Sequence, residues 1–408
     1  MFKLSTLRAA VASAVFLTGA GAGVAHAGDA KYDPGVTDTE IRIGNTLPYS
    51  GPLSAYGTVG KAMSAYFEKI NAAGGVNGRS ILFMSEDDAY NPNNSLTQTR
   101  KLVERDNVFF MYGVLGTPPN LAIREYLNRK KIPHLFSITG LTELGNYEEF
   151  PYTMGWLPSF QTEGKIYIQH IIETNPDAKI GILFQNGDYG RDFTKGITDA
   201  LGEEKANMII AMESFESSDP TVDAQVVSLK ATGADALIIV STPKFAAQAL
   251  KKVRQLDWHP TTYLNNVANS IASVMEPSGA VGNTDQSYIT TFYERDPSDT
   301  QWADSKALKD YMAWITEFYP EGDPNESLNV YGYNLAQVLV QILDQMGDDM
   351  TREAVMESVT NLDLELPMLL PGVRVKTGPT DYHPINQMQL ARWDGRGWDL
   401  FGDVYTAE

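Results

Sequence analysis

The chain has no cysteine in 408 residues. Disulfides and thiolate metal sites are therefore excluded, and stability must come from packed cores. No GxSxG elbow, P-loop or HExxH pair occurs either. Hydrolase and nucleotide chemistries that depend on those motifs thus have no foothold. Beyond residue 27 the histidines (His134, His170, His259 and His383) are scattered without ligand spacing. No metal and no other cofactor is expected. Asp87 and Asp88 resemble a metal or acid–base pair, but neighbours on an extended strand point to opposite faces, so a turn and a cap are expected instead. Positive charge is also short, with 32 Lys and Arg against 51 Asp and Glu and a net charge of −19. Nucleic acid is not an expected partner, because phosphate binding needs a basic footprint.

At the N-terminus, Lys3 and Arg8 precede an apolar stretch over 9–24 that closes on Ala25-His26-Ala27. This is the pattern of a secretory signal peptide cleaved after Ala27, and its short, Ala- and Gly-rich core argues against a membrane anchor. No later stretch offers the roughly 18 uncharged apolar residues of a spanning helix. The mature chain is expected to be soluble and exported. Cleavage removes Lys3 and Arg8 and no acidic residue, moving the net charge from −19 to about −21. The remaining length suits about two domains, each with its own core.

From Glu40 onward, short β-rich runs alternate with helical stretches: IRIGNT at 41–46, a helix over 59–70, ILFMSED at 81–87, a helix over 95–105, VFFMY at 108–112, a helix over 120–131, then IPHLF. One helix after each strand predicts a parallel sheet with helices on both faces. After Pro151 the pattern restarts, with strands KIGILF, MIIAM and ALIIV between helices over 162–173, 191–203, 222–231 and 245–256. Two α/β units in tandem are expected. The rest breaks the rhythm: helices over 302–319 and 328–346, a strand YITTFY at 288–293, and INQMQLARW-DGRG-WDLFGDVY, which reads as a hairpin around an Asp-Gly turn. This material is expected to complete the first two units, with the Gly-rich 277–282 passage crossing back toward the first.

Ligands of open parallel sheets bind beyond the carboxyl ends of the strands. Those corners here are polar, hydroxyl-rich and poor in positive charge: LPYSGPLSAYG, DAYNPNN, GVLGTPPN, SITGLTE, QNGDYGRD, STPKF and NNVANS. In GVLGTPPN, Thr117 stands where its hydroxyl can cap the following helix, and a helix start also attracts anions. Pro118 and Pro119 remove two N–H donors. A bound carboxylate would then depend on the Thr117 side chain and N–H, the Gly116 N–H and the loop at Thr139–Gly140. An ordinary capped corner and an anion cradle both remain open here.

The matching stretches IRIGNTLPYSGPLSAYG, INAAGGVNGRSI, EDDAYNP, FFMYGVLGTPPNLA, KKIPHLF and LFQNGDYGRD run through the mature chain. With them it resembles the type I periplasmic solute-binding proteins of branched-chain amino-acid ABC transporters. The resemblance implies an α/β fold of two Rossmann-like lobes with parallel sheets joined by three crossovers, with solute enclosed between them. The boundaries expected are 37–157 with about 284–368 for the first lobe and 158–283 with about 369–408 for the second. A periplasmic monomer that serves an ABC permease of the inner membrane, and is not an enzyme, is implied. A ligand-sensing module is the rival, disfavoured because no spanning or signalling segment is expected after Glu408; a secreted hydrolase ranks last.

Carried over by position, the resemblance implies ligand contacts at Tyr56, Gly116, Thr117, Ile138, Thr139, Gly140 and Tyr189, with Asn265 and Asn266 in the loop where amino-acid binders keep an acid. That loop has no carboxylate before Glu276. A buried ammonium without a charged partner is expensive, so an α-amino acid fits poorly. The paired cysteines of some members fall on Tyr90 and Gly116. Trp156 and Phe160 either add rings to the cleft or pack the hinge. The stretch HLFSITGLTELGNYEEFPYTMGW resembles a subgroup whose members take aromatic acids. The expected ligand is a small carboxylate with an apolar, aromatic body such as benzoate, hydroxybenzoate or a cinnamate; the alternative is a branched-chain or other amino acid or amide.

Overall fold

The computed structural model describes residues 32–407. The leader expected at 1–27 lies outside the described residues. The first lobe alternates as its sequence pattern requires: β1 (Glu40–Leu47), α1 (Gly57–Ala72), β2 (Ser80–Asp87), α2 (Pro92–Glu104), β3 (Phe110–Tyr112), α3 (Thr117–Arg129), β4 (His134–Ser137) and β5 (Thr153–Gly155). Ile41, Ile43, Phe110, Met111 and Leu135 are completely buried, which is why these strands read as apolar runs and not as alternating ones. All pairs in the five-stranded sheet are parallel, in the order β2-β1-β3-β4-β5. β5 had no sequence signal, because three residues show no period.

The second lobe repeats the plan with α4 (Phe160–Thr174), β6 (Ile180–Gln185), α5 (Asp188–Lys205), β7 (Ile209–Phe215), α6 (Asp223–Ala231), β8 (Ala236–Val240), α7 (Pro243–Gln255) and β9 (Thr261–Leu264). A single turn, α8 (Glu276–Ser278), leads into β10 (Ser287–Phe292). The parallel part of the second sheet runs β7-β6-β8-β9-β10, so both lobes place their strands in the sequence second, first, third, fourth, fifth. In each, the order reverses beside the first strand, and the crevice at that reversal is where open sheets bind ligands.

One boundary needs correction. The strand at 288–293 was expected in the first lobe, within 284–368; β10 instead pairs in parallel with β9 through Ser287↔Thr261 to Thr290↔Leu264. The Gly-rich passage at 277–282 is a turn within the second lobe, and the chain leaves only after Phe292. Its apolar face decides this: Tyr288, Ile289 and Thr290 are buried at a position the second sheet would otherwise leave as an edge.

The returning chain then packs α9 (Lys306–Phe318) and α10 (Leu328–Met346) against α1. Leu335, Val338, Leu339 and Ile342 are all fully buried, as their spacing predicts. At Gly332 an added Cβ would come within 2.4 Å of the Val59 carbonyl oxygen, so this glycine sets how closely α10 approaches α1. After α11 (Arg352–Val359) and the small ladder β11 (Asp363–Leu364) with β12 (Val375–Lys376), the chain crosses once more. The hairpin β13 (Gln387–Trp393) and β14 (Trp398–Thr406) adds antiparallel to β10. Asp394 accepts from the Arg396 and Gly397 N–H groups at 2.7 Å each, which forms the expected Asp-Gly turn.

Candidate functional site

The corners at the two reversal points face one cavity. From the first lobe it takes Tyr56 at the start of α1, Tyr90 after β2, Leu115, Gly116 and Thr117 after β3, and Ile138 and Thr139 after β4. From the second come Leu157 and Phe160 at the first crossover, Tyr189 after β6, Thr242 after β8 and Val267 after β9; Tyr331 of α10 closes the set. Among the described residues, no Lys, Arg, Asp, Glu or His lines it. Four tyrosines and a phenylalanine supply rings, and three threonines supply hydroxyls.

The β3–α3 corner is built around Gly116. Its φ of 95° lies in the region that favours glycine, and a Cβ there would sit 2.3 Å from the Tyr90 ring. Tyr90 itself has a positive φ of 60°. It is held by the buried Asp88, whose carboxylate accepts from the Tyr90 N–H at 2.8 Å and the Ser95 hydroxyl at 2.8 Å. Asp87 accepts from the Tyr49 and Ala89 N–H groups at 2.9 Å each. The two acids therefore brace turns, as their adjacency suggested. Under the corner lies Asn120, buried in α3, donating to the Val114 and Gly116 carbonyls at 2.9 and 2.7 Å. Its Oδ1 lies 2.6 Å from Nε2 of His134, whose imidazole burial pushes down to about 3, so the ring is neutral.

Thr117 does not cap its helix. It is the first helical residue, Gly116 occupies the capping position, and its hydroxyl lies 2.6 Å from that of Thr139. Its own N–H, in the first turn, has no intrahelical acceptor. The Gly116 N–H, expected to be available, is used by the Ile138 carbonyl at 3.1 Å. The polar groups this corner brings to the cavity are thus the coupled hydroxyls of Thr117 and Thr139.

In the second lobe, Tyr189 donates to the Ser241 carbonyl at 3.2 Å and accepts from Asn265 Nδ2 at 2.6 Å. Phe160 packs on it with ring centroids 4.9 Å apart. Burial pushes the Tyr90 phenol up to about 12 and those of Tyr56 and Tyr189 further, so all three remain protonated donors.

Four expected site residues lie outside the cavity lining, each for a visible reason. Trp156 is wholly buried against Phe136, with centroids 5.5 Å apart, and of the two rings Phe160 alone lines the cavity. Gly140 is a close-approach position: a Cβ would meet the Pro158 carbonyl oxygen at 2.3 Å. Asn265 is consumed in holding Tyr189 and in accepting from the Ser241 N–H at 3.1 Å. Asn266 is drawn back to Glu163, donating through its N–H at 2.6 Å and Nδ2 at 2.5 Å. Tyr56, Gly116, Thr117, Ile138, Thr139 and Tyr189 all line the one cavity.

Sequence reasoning missed Tyr331 and Glu163. Tyr331 also walls a second, smaller cavity, with Asn266, Thr291, Tyr293, Glu294 and Asp296 around it. Burial pushes the Asp296 carboxyl up to about 6 and that of Glu294 well above its ordinary range. Glu163, in α4, accepts from Tyr167 at 2.6 Å and Thr291 at 3.0 Å besides Asn266, and burial still pushes it up to about 7.

A family model described as periplasmic binding protein matches residues 40–397. The Leu/Ile/Val-binding protein homolog 7 of Brucella suis is 23% identical over 379 residues, covering 90% of this chain and 92% of that protein. Solved structures superpose over most of the chain. A branched chain amino acid ABC transporter from Thermus thermophilus with bound valine gives a TM-score of 0.81 at 15% identity, covering 91% of this chain and 98% of that one. A fatty acid ABC transporter substrate-binding protein from Thermomonospora curvata gives 0.75 at 22%, covering 93% and 95%. A solute binding protein from Rhodopseudomonas palustris in complex with 3,4-dihydroxy benzoic acid gives 0.72 at 18%, covering 90% and 98%. At such identities the structures carry the fold and not the ligand. With the model matched across both lobes, the chain belongs to the periplasmic binding protein family.

Proposed function

We propose that the chain captures a small monocarboxylate with an apolar, aromatic body in the cleft between its lobes and delivers it to an inner-membrane ABC permease. One observation carries this reading: hydroxyls and rings line the cavity, and among the described residues no Lys, Arg, His, Asp or Glu does. Thr117 and Thr139 would take the carboxylate, since the coupled hydroxyl pair keeps one O–H to donate to an anion. Rings from both lobes suit a flat body by offset and edge-on contact. An α-ammonium would have no carboxylate beside it, and stranding it costs several kcal/mol. Because contacts come from both lobes, a bound ligand favours the closed arrangement over the open one, which is the form a permease would receive.

The second reading is a branched-chain amino acid, after the names of the curated relatives. The observation in its favour is Glu163, bonded to Asn266 beside the cavity-lining Val267. Calorimetry with purified protein separates the two. Binding of benzoate, 4-hydroxybenzoate or coumarate, with leucine and valine silent, supports the aromatic acid; tight leucine or valine binding with the acids silent overturns it.

A further inference from the structure

The two lobes place a Thr-Pro pair at the same topological corner, Thr117-Pro118 after β3 and Thr242-Pro243 after β8. Both threonines line the cavity. Thr117 has Thr139 as partner, whereas the Thr242 hydroxyl is buried with no hydrogen-bond partner among the described residues. Its position before Pro243 makes it the natural cap of α7, yet the hydroxyl is not used so: the Phe245 and Ala246 N–H groups bond the Thr242 carbonyl at 3.1 and 3.0 Å. A buried hydroxyl left unpaired is unfavourable, so a closed cleft without ligand carries a penalty at this point. A ligand that supplies the partner removes it.

Resting on the monocarboxylate reading above, we infer that Thr242 selects ligands carrying a neutral hydroxyl at the end remote from the carboxylate, as on a para-hydroxylated aromatic acid. The charge of that remote group follows from the lining. A second carboxylate would find no Lys or Arg, and an ammonium no Asp or Glu, among the residues that line the cavity. A hydroxyl can both donate to and accept from Thr242. Placement follows from topology, because the carboxylate corner and the Thr242 corner belong to opposite lobes. The contact therefore exists only when the lobes are closed, which makes it a contribution to closure as well as to specificity.

The test is the ratio of affinities for 4-hydroxybenzoate and benzoate, measured by calorimetry on the native protein and on Thr242→Val and Thr242→Ser. The native protein is expected to prefer 4-hydroxybenzoate by about tenfold, the worth of one hydrogen bond. Thr242→Val should bring the ratio near one, and Thr242→Ser should restore the preference. If Thr242→Val keeps the native ratio, or if the native protein binds both acids equally, the inference fails while the aromatic-acid reading stands. If neither acid binds and leucine does, both fall together.

Discussion

The two lobes have one strand order and one Thr-Pro corner, yet the first grips with paired groups and the second offers an unpaired one. In the first, Gly116 at a φ of 95° lets the backbone approach Tyr90, and the neighbouring threonine is tied to Thr139. In the second, Ser241 occupies the matching position, its hydroxyl also buried without a partner among the described residues. Their buried titratable groups differ too: a neutral imidazole, His134, bonds the Asn120 that underlies the first corner, and a carboxyl, Glu163, is held by Asn266 after β9 in the second lobe. Equal topology thus sets where a corner lies, and local residues set whether it is finished by the fold or left for a ligand.

The largest expected effect contrasts the two equivalent positions. Gly116→Ala must fit a Cβ against the Tyr90 ring at an unfavourable φ, so a loss of about 3 kcal/mol in unfolding free energy by urea titration is expected. Ser241→Ala removes a buried unpaired hydroxyl and should leave stability unchanged or raise it by about 1 kcal/mol. Similar losses at both positions would break the comparison.

The buried titratable pair should give opposite pH slopes. Glu163 has its folded pKa raised, so the folded state binds more protons than the unfolded one between about 4.5 and 7, and its contribution falls as pH rises through that window. His134 has its folded pKa lowered from 6.5 to about 3, so its contribution falls as pH drops through that range. Comparing urea midpoints across pH, Glu163→Gln should remove a decline on the order of 2–3 kcal/mol toward neutrality, and His134→Asn a loss of similar order toward acid. Two parallel slopes would contradict the assignment of opposite buried states to the two lobes.

Smaller in effect is the test of the carboxylate grip. Thr117→Val should weaken acid ligands by about 1.5–3 kcal/mol, the worth of a hydrogen bond to a charged group, read by calorimetry. Unchanged affinity would return this corner to plain architecture and leave the second lobe as the sole source of polar recognition.

Much of the site was legible because corner residues announce themselves locally. Gly116, Thr117 and Tyr189 follow β-rich runs directly, and an open sheet binds beyond its strand ends. Asn265 and Asn266 were visible for the same reason, but neighbours distant in sequence, Tyr189 and Glu163, took their donors. Tyr331 left no trace, since a buried position on an amphipathic helix does not say which cavity its ring reaches. β10 was readable as a strand and misread in its partner, because pairing across 26 positions, as in Ser287↔Thr261, is not encoded in a local period.

The sequence by itself determined the alternation of strand and helix, the repeat of that plan, the amphipathic helices that follow it and the corners that could recognise a solute. Each follows from periodicity and turn chemistry within a few residues. Only the tertiary structure decided which hydroxyls are spent and which are left. Whether Thr117 meets a helix N–H or Thr139, and whether Thr242 meets anything, depends on ångström-scale distances between segments far apart in the chain. Those distances are set by the packing of two lobes and by no local propensity.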